Sequence, residues 1–283
     1  MNEQVAYATM SDREKYLFDL QGFLVVRNFL DADEIQAFNE AIEANQDKRG
    51  EHASGLESPE LAGTHKRGHY AGMLTWDKPW CQPFRDILAH RKLVPYLNTF
   101  FGRGWKLDHS PDILTATKGA EGLNLHGDGL STFNGSRYYT HHNGRMRCGL
   151  INCQFYLNDV HPGDGGLCII PGSHKANLPH PEYSNPDPRS PRGWKRRESP
   201  DGTPGGQGGY MDGVEGSIEI TLMAGDCLLF VDCLTHGSTK RTIPGARRAV
   251  LFRYAPRWTP PLPPKPWMDQ LTDAQKALLV TPL

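Results

Sequence analysis

The chain has 283 residues, of which 38% are hydrophobic and 22% charged, and its formal net charge is −1. This composition predicts a folded globular protein rather than a disordered chain. A charge near zero, without a stripe of basic residues, indicates no role in nucleic-acid binding. The longest apolar run, Cys227 to Val231, is far too short to cross a membrane. Residues 1–15 lack the apolar core of a signal peptide, and the six cysteines show no C-x-x-C spacing, so we expect a cytoplasmic protein with buried, reduced thiols.

The first third of the chain, residues 1–104, is predicted to be helical with one strand. Capping boxes at Ser11–Glu14 and Asp31–Glu34 each predict the start of a helix. The apolar run Phe23 to Val26, between these two helices, is typical of a strand. A further helical stretch is expected from Pro83 to Phe101, with an interruption near residues 90–92. We expect these helices to buttress a sheet.

From residue 105 to 257 the pattern changes to short apolar segments separated by glycine-rich and proline-rich turns. Such a pattern favours an antiparallel barrel or jelly roll over a helical bundle. We therefore predict a mainly β fold with flanking α-helices, formed by residues 1–283 as a single domain. The predicted strands are 113–117, 123–128, 149–158, 166–171, 217–222, 227–232 and 247–254.

Two irregular segments interrupt or follow this β region. Residues 176–216 are dominated by proline, glycine, serine and charged residues and are too long for a simple hairpin connection. This insertion is either a functional excursion over the barrel mouth or a mobile surface loop, and we expect it to order over bound substrate. The tail, residues 258–283, begins with a proline-rich stretch and ends with a weak helix capped at Thr272.

The most informative motif is His126-Gly127-Asp128, which is followed far along the chain by His236. In extended chain the residues i and i+2 point to the same face, so His126 and Asp128 can both turn inward while Gly127 leaves room for a metal. Two histidines and one carboxylate form the facial triad that holds non-haem Fe(II) and leaves positions open for a co-substrate and O₂. We therefore expect His126, Asp128 and His236 to be catalytic metal ligands.

Arg247 follows His236 after eleven positions and suggests the identity of the co-substrate. A guanidinium is a natural bidentate partner for the distal carboxylate of 2-oxoglutarate. The segment 246–254 is predicted to be a strand, in which Arg247 and Arg253 share one face and Arg248 lies on the other. Which of the adjacent arginines, Arg247 or Arg248, faces the metal depends on the strand register and stays open.

The order of these motifs resembles the phytanoyl-CoA dioxygenase-like family of Fe(II)/2-oxoglutarate oxygenases. Besides H-x-D and His236-Gly237-Ser238, the resemblance includes the stretch Asp159 to Lys175 and covers most of the chain. It implies a double-stranded β-helix, a cupin-like jelly-roll barrel, with the iron at its open end. It further implies that Arg247 and Ser238 hold the distal carboxylate of 2-oxoglutarate, and that Gln154 lies beside this co-substrate.

The resemblance implies an Fe(II)-, 2-oxoglutarate- and O₂-dependent dioxygenase that hydroxylates a C–H bond and releases succinate and CO₂. The expected partner is a small polar or anionic metabolite, because aromatic and basic side chains that could bind it cluster in two segments of the sequence. The alternative is that the charged side chains of these segments lie in solvated loops and bind no substrate. His174 is expected to be structural. Two other functions stay open, a cupin-like metalloenzyme that does not use 2-oxoglutarate and a non-catalytic jelly-roll binding module. The clustered residues are His65, Lys66, Arg67, His69 and Trp76, and Tyr138, Tyr139, His141, His142, Arg145 and Arg147.

Overall fold

The computed structural model describes residues 8–51, 66–102, 104–120, 122–127, 137–178, 183–184, 195–196, 214–259 and 266–278. Asp128 and most of the insertion 176–216 lie outside these residues. The described α-helices are α1 (Asp12–Gln21), α2 (Ala32–Glu43), α3 (Gln82–Ile87), α4 (Val94–Phe101) and α5 (Asp273–Ala277). None of them is both long and apolar enough to span a bilayer.

Sixteen strands are described, and most of them belong to two antiparallel sheets. They are β1 (Phe23–Val26), β2 (Gly50–Glu51), β3 (Arg67–Ala71), β4 (Trp105–Leu107), β5 (Asp112–Thr117), β6 (Leu123–His126), β7 (Tyr139–His142), β8 (Arg145–Cys148), β9 (Ile151–Tyr156), β10 (Leu167–Ile169), β11 (Tyr183–Ser184), β12 (Lys195–Arg196), β13 (Ile218–Glu219), β14 (Cys227–Val231), β15 (His236–Ser238) and β16 (Ala246–Pro256).

The large sheet has the strand order β1-β14-β9-β16-β5-β3-β2, with β4 paired to β16. The small sheet has the order β13-β10-β15-β6. The chain passes from the large sheet to the small one between β14 and β15, and the ring of Phe230 in β14 lies 4.7 Å from that of His236 in β15. The two sheets therefore enclose a common interior, as expected for a jelly roll.

The N-terminal helices cover the outer face of the large sheet. Both predicted capping boxes are present, at Ser11 for α1 and at Asp31 for α2. Helix α1 ends at Gly22, whose φ of +82° is left-handed, and a Cβ on Gly22 would lie 2.5 Å from the His174 ring. The glycine is thus required both by the helix end and by the packing of His174.

The N-terminal third supplies more strand than expected. The prediction of a helical region with one strand is wrong, because β2 and β3 also belong to the large sheet, where β3 pairs with β5. The sequence of β3, Arg-Gly-His-Tyr-Ala, has no β-branched residue and no apolar alternation, so local propensity does not identify it. Pairing with β5, which is distant in sequence, overrides that propensity.

Buried Asp226 joins the strand–helix connection after β1 to the turn before β14. Its carboxylate accepts hydrogen bonds from the Asn28 N–H at 3.0 Å and the Met223 N–H at 2.8 Å, and it forms an ion pair with Arg27. We expect Asp226→Ala to lower the free energy of unfolding by about 2–4 kcal/mol, because two backbone donors lose their acceptor. Chemical denaturation measures the change.

The matched control is Asp12→Ala, since the Asp12 side chain is 99% exposed and, among the described residues, forms an ion pair with Lys15 alone. This control is expected to change the unfolding free energy by no more than about 0.5 kcal/mol. Equal effects of the two substitutions would show that Asp226 has no special role in stability.

Candidate active site

His126 and His236 meet where the edge strand β6 of the small sheet pairs with its neighbour β15. His126 is the last residue of β6 and His236 the first of β15, and the two are direct partners in the antiparallel register. Their ring centroids are 4.1 Å apart, with an angle of 52° between the ring planes. Two residues separated by more than a hundred positions thus place their imidazoles together, as the motif predicts.

The backbone carbonyl of Leu234 organises this pair. It accepts a hydrogen bond from Nδ1 of His236 at 2.6 Å, which leaves Nε2 to face a metal. The same oxygen would lie 2.3 Å from a Cβ on Gly127, and Gly127 has a φ of +126°. The glycine is therefore needed for the close approach of the Leu234 backbone, and its role in leaving room for a metal stays a prediction. Strand β6 ends at His126 and Asp128 lies outside the described residues, so the same-face argument for residues 126 and 128 stays a prediction.

His236 is buried, and its environment favours the neutral imidazole. Burial, together with the neighbouring His126, lowers the pKa of His236 to about 3, while the carboxylate of Asp232 opposes this shift. A neutral imidazole with Nδ1 engaged has its Nε2 lone pair available to a metal. The chemistry of this pair fits the first two positions of an Fe(II) facial triad.

The third expected ligand, Asp128, lies outside the described residues. In the part of the chain that is described, no group of three His, Cys, Asp or Glu side chains converges on a point. The acidic residue nearest to His236 in sequence, Asp232, is engaged by Arg137 and Asn152. The assignment of Asp128 as a ligand stays a prediction from the motif.

Strand β16 directs Arg247 and Arg248 to opposite sides of the large sheet. Arg247 is 6% exposed, and its Nη1 donates to the carbonyl oxygen of Gly165, inside the barrel. Arg248 points outward to α2, where it donates to Asn39 Oδ1 at 3.0 Å and pairs with Glu43. In this register it is Arg247 that faces the interior.

The Arg247 guanidinium is buried, and part of its hydrogen-bonding capacity is unused. Its Nε is buried and has no hydrogen-bond partner among the described residues. Burial lowers the pKa of Arg247, whereas the nearby phenol of Tyr156 acts in the opposite direction. An arginine keeps its charge in proteins, so this position offers a buried cation to an anionic ligand. The distal carboxylate of 2-oxoglutarate fits this need.

Gln154 and Ser238 also lie inside the barrel. Gln154 is 7% exposed, and its Oε1 accepts a hydrogen bond of 2.7 Å from the Tyr156 hydroxyl, so its amide group is oriented by Tyr156. Ser238 Oγ accepts the Leu123 N–H at 3.0 Å, and its hydroxyl proton can donate elsewhere. Tyr156 is a residue that the motif analysis missed. Its position two residues after Gln154, on the same face of β9, is the signal that identifies it.

The aromatic and basic clusters of the sequence have separate locations. Trp76 packs in the core against Tyr70 and Phe84, with ring centroids 6.0 and 5.4 Å away, and His65 lies outside the described residues. Hairpin residues His141, Arg145 and Arg147 line a groove of about 720 Å³ against α1 and α4. The residues around this groove do not include His126 or His236. The hairpin cluster and the histidine pair are therefore distinct surfaces.

His174 occupies a structural position. It is 1% exposed, its Nε2 contacts the Asp19 carbonyl oxygen at 3.1 Å, and burial lowers its pKa to about 4. The preceding Ser173 accepts the Thr235 N–H through Oγ at 2.8 Å. Through these two contacts the turn 171–174 connects α1 to Thr235, the residue before His236.

Comparison with known proteins gives consistent results. Residues 18–249 match the family described as "Phytanoyl-CoA dioxygenase (PhyH)". An ectoine dioxygenase of Stutzerimonas stutzeri (strain A1501) is 25% identical over 251 residues, covering 84% of this chain and 74% of the relative. HygX from Streptomyces hygroscopicus, solved with nickel, 2-oxoglutarate and hygromycin B, has a TM-score of 0.67 at 23% identity and 88% coverage of both chains. The epimerase SnoN from nogalamycin biosynthesis has a TM-score of 0.56 at 16% identity, covering 87% of this chain and 82% of its own. The two structural likenesses confirm the predicted jelly-roll fold class.

Substitution of Gly127 tests the contact that holds the histidine pair together. We expect Gly127→Ala to lower the free energy of unfolding by at least about 2 kcal/mol, because the new Cβ meets a backbone oxygen and φ is positive. It should also weaken Fe(II) binding, which calorimetry under anaerobic conditions measures.

The matched control is Gly144→Ala, since Gly144 has a φ of +70° with no atom within 4 Å of a Cβ. The control should cost about 1 kcal/mol and leave Fe(II) binding intact. Similar results for both variants would contradict the role of the Leu234 contact.

Proposed function

This chain belongs to the phytanoyl-CoA dioxygenase family and is an iron- and 2-oxoglutarate-dependent dioxygenase, and we propose that His126, Asp128 and His236 hold its metal. The observation that supports this most directly is the pairing of His126 with His236, in which the Leu234 carbonyl fixes one nitrogen of His236. Asp128, two residues after His126 in the motif, supplies the carboxylate of the triad. The expected family and reaction class are confirmed by the comparisons.

Arg247 is the proposed clamp for the distal carboxylate of 2-oxoglutarate. Its buried charge and its Nε can form a charge-assisted, bidentate contact that a point charge could not reproduce. The Ser238 hydroxyl donates a further hydrogen bond, and Gln154, oriented by Tyr156, places its amide beside the co-substrate. When bound, the iron supplies the chemistry that couples O₂-dependent decarboxylation of 2-oxoglutarate to oxidation of a C–H bond. The chain binds and orients the reactants and excludes water.

The proposed substrate is a small polar or anionic metabolite, which is hydroxylated. One relative is an ectoine dioxygenase, and one similar structure has hygromycin B bound, which supports a small-molecule substrate. A cupin-like enzyme without 2-oxoglutarate would have no use for a buried guanidinium that lacks a partner at Nε. The family match argues against a binding module without catalysis. The six described cysteines are buried free thiols, which favours the reducing environment of the cytoplasm.

Alanine substitution of the triad tests the metal assignment. We expect His126→Ala, Asp128→Ala and His236→Ala each to weaken Fe(II) binding by at least about a hundredfold, a larger effect than the loss of an outer hydrogen-bond partner. Anaerobic calorimetry gives the affinity, and circular dichroism checks the fold. A triple alanine variant that binds Fe(II) like the wild type would contradict the assignment.

The adjacent arginines provide a matched pair for testing the co-substrate site. Arg247→Ala should weaken 2-oxoglutarate binding by roughly thirty-fold to a thousand-fold, since a buried charge-assisted contact is lost. Arg247→Lys should restore part of the affinity, because the charge returns without the bidentate geometry. Arg248→Ala, on the outer face, should leave the dissociation constant unchanged. The reverse order of effects would mean that the strand register differs by one residue.

A further inference from the structure

Five polar side chains are hydrogen-bonded in a row that begins on the inner face of the large sheet and continues through the residue after β14 to a residue before β7. We call this row the polar chain: Asp112, Arg253, Asn152, Asp232 and Arg137. Arg253 donates to Asp112 Oδ2 at 3.3 Å and to Asn152 Oδ1 at 3.1 Å. Asn152 in turn donates to Asp232 Oδ1 at 2.9 Å. Asp232 Oδ2 then pairs with Arg137 Nε at 2.8 Å. Acidic and basic groups therefore alternate across β5, β16, β9 and the end of β14.

The polar chain lies on the same side of the sheet as Arg247 and Gln154. Arg253 and Asn152 are direct cross-strand partners, two positions along from the pair Leu251 and Gln154, so all four side chains share one face. Arg253 is six residues further along β16 than Arg247, about 20 Å in an extended strand. The co-substrate clamp and the polar chain therefore lie at opposite ends of one inner surface.

The polar chain also lies beside the candidate metal ligands. Phe230 is the β14 partner of Asn152, and its ring centroid is 4.7 Å from that of His236. Asp232 follows two residues later, and its carboxylate is held by Arg137 and Asn152. A molecule that rests on the polar chain would be close to the metal.

A contribution to folding stability does not by itself explain the four charged side chains of the polar chain. The exposed fractions of the side chains are 11% for Asp232, 28% for Arg137, 25% for Arg253 and 29% for Asp112. Removing such groups from water costs free energy, and well-packed apolar side chains of the same volume are often equally stabilising or better. Partly buried charges beside a metal site are instead typical of ligand recognition.

We propose that the polar chain is the substrate-binding surface, and that the substrate is a small molecule carrying both a cationic and an anionic group. This inference rests on the proposed function, because it takes the substrate to be the molecule oxidised at the metal. Two arginines and two aspartates give the surface no net charge, so it has no preference for an anion or a cation alone. The partly exposed ends, Arg253 with Asp112 and Arg137 with Asp232, each offer one donor and one acceptor.

The same surface disfavours an acyl chain. An apolar substrate would cover the exposed parts of Arg253, Asp112 and Arg137 without replacing the water that hydrogen-bonds them, and such uncompensated desolvation is costly. A zwitterion replaces that water with charge-assisted hydrogen bonds at both ends. The geometry therefore selects for charge pattern more than for apolar volume.

The experiment uses the full chain loaded with Ni(II) in place of Fe(II) and with 2-oxoglutarate, so that no turnover occurs. Four kinds of probe are titrated by calorimetry: zwitterions (glycine betaine and the common amino acids), the cation choline, the anion hexanoate and octanoyl-coenzyme A. We expect at least one zwitterion to bind at least about tenfold more tightly than any of the other three kinds. If octanoyl-coenzyme A or hexanoate binds best, or if no zwitterion binds, the inference is wrong.

Variants then test the residues. Arg253→Met should weaken zwitterion binding by at least about tenfold, the value of one charge-assisted hydrogen bond, and Arg253→Lys should restore part of it. Arg248→Ala, on the outer face of the same strand, is the matched control and should bind the zwitterion like the wild type. If Arg253→Met does not fold, Asp112→Asn removes the partner charge at a more exposed position and should give the same loss. Unchanged zwitterion affinity in the folded variant would overturn the inference.

Metal and 2-oxoglutarate affinities, measured for every variant, separate this inference from the proposed function. A wild-type chain that binds neither Fe(II) nor 2-oxoglutarate would contradict the proposed function. A wild-type chain that binds both but prefers the acyl probe would contradict only the substrate class. Loss of zwitterion binding in Arg253→Met with both cofactor affinities retained would support the polar chain as the substrate surface.

Discussion

The carbonyl oxygen of Leu234 is the contact on which the site depends. It orients the His236 ring through Nδ1, and it lies against the backbone of Gly127, immediately after His126. One main-chain atom thus sets both the direction of one imidazole and the distance to the strand that carries the other. Because a main-chain atom has less conformational freedom than the end of a side chain, this arrangement is more rigid than one built from side chains alone. Ser173 accepts the neighbouring Thr235 N–H, and the adjacent His174 contacts the Asp19 carbonyl oxygen in α1, so this turn is also connected to α1.

The long strand β16 links the co-substrate end of the interior to the substrate end. It pairs with β9 and β5 along most of its length, and α2 covers part of its outer face through Arg248. A slip of one residue in the pairing would turn Arg248 to the interior and Arg247 to the outer face. Every other side chain of the strand would change faces in the same way. The register is therefore fixed by the whole strand and not by Arg247 itself. Arg253 faces inward for the same reason.

Much of the architecture could be predicted from local sequence signals. The capping boxes at Ser11 and Asp31 identify α1 and α2, because a helix start is a local event in which a side chain binds a nearby N–H. The strand 23–26 was predicted with the bounds of β1. Strand β3 was not, since its stability comes from pairing with β5, more than forty residues away. Short-range patterns carry no information about such a partner.

The candidate site was predictable in its motifs but not in its contacts. His126, His236 and Arg247 follow from chemistry and spacing, whereas the inward direction of Arg247 needed the register of β16. The contact of Gly127 with Leu234 was not predicted, because the two residues are more than a hundred positions apart in the sequence. Tyr156 and Asn152 share a face with Gln154, so alternation along β9 would have revealed them once Gln154 was placed inside.

The inner surface has two polar ends with different charge properties. At one end Arg247 is a deeply buried cation whose Nε has no described partner, which suits a carboxylate of fixed geometry. At the other end the polar chain is internally neutralised and partly exposed. Between them lie apolar side chains such as Leu251, Leu228 and Phe230. A dianionic co-substrate bound at the first end would gain little from the second, where positive and negative charges cancel. The two ends can therefore accept different ligands without competing for the same one, which an ordered reaction of two substrates at one metal requires.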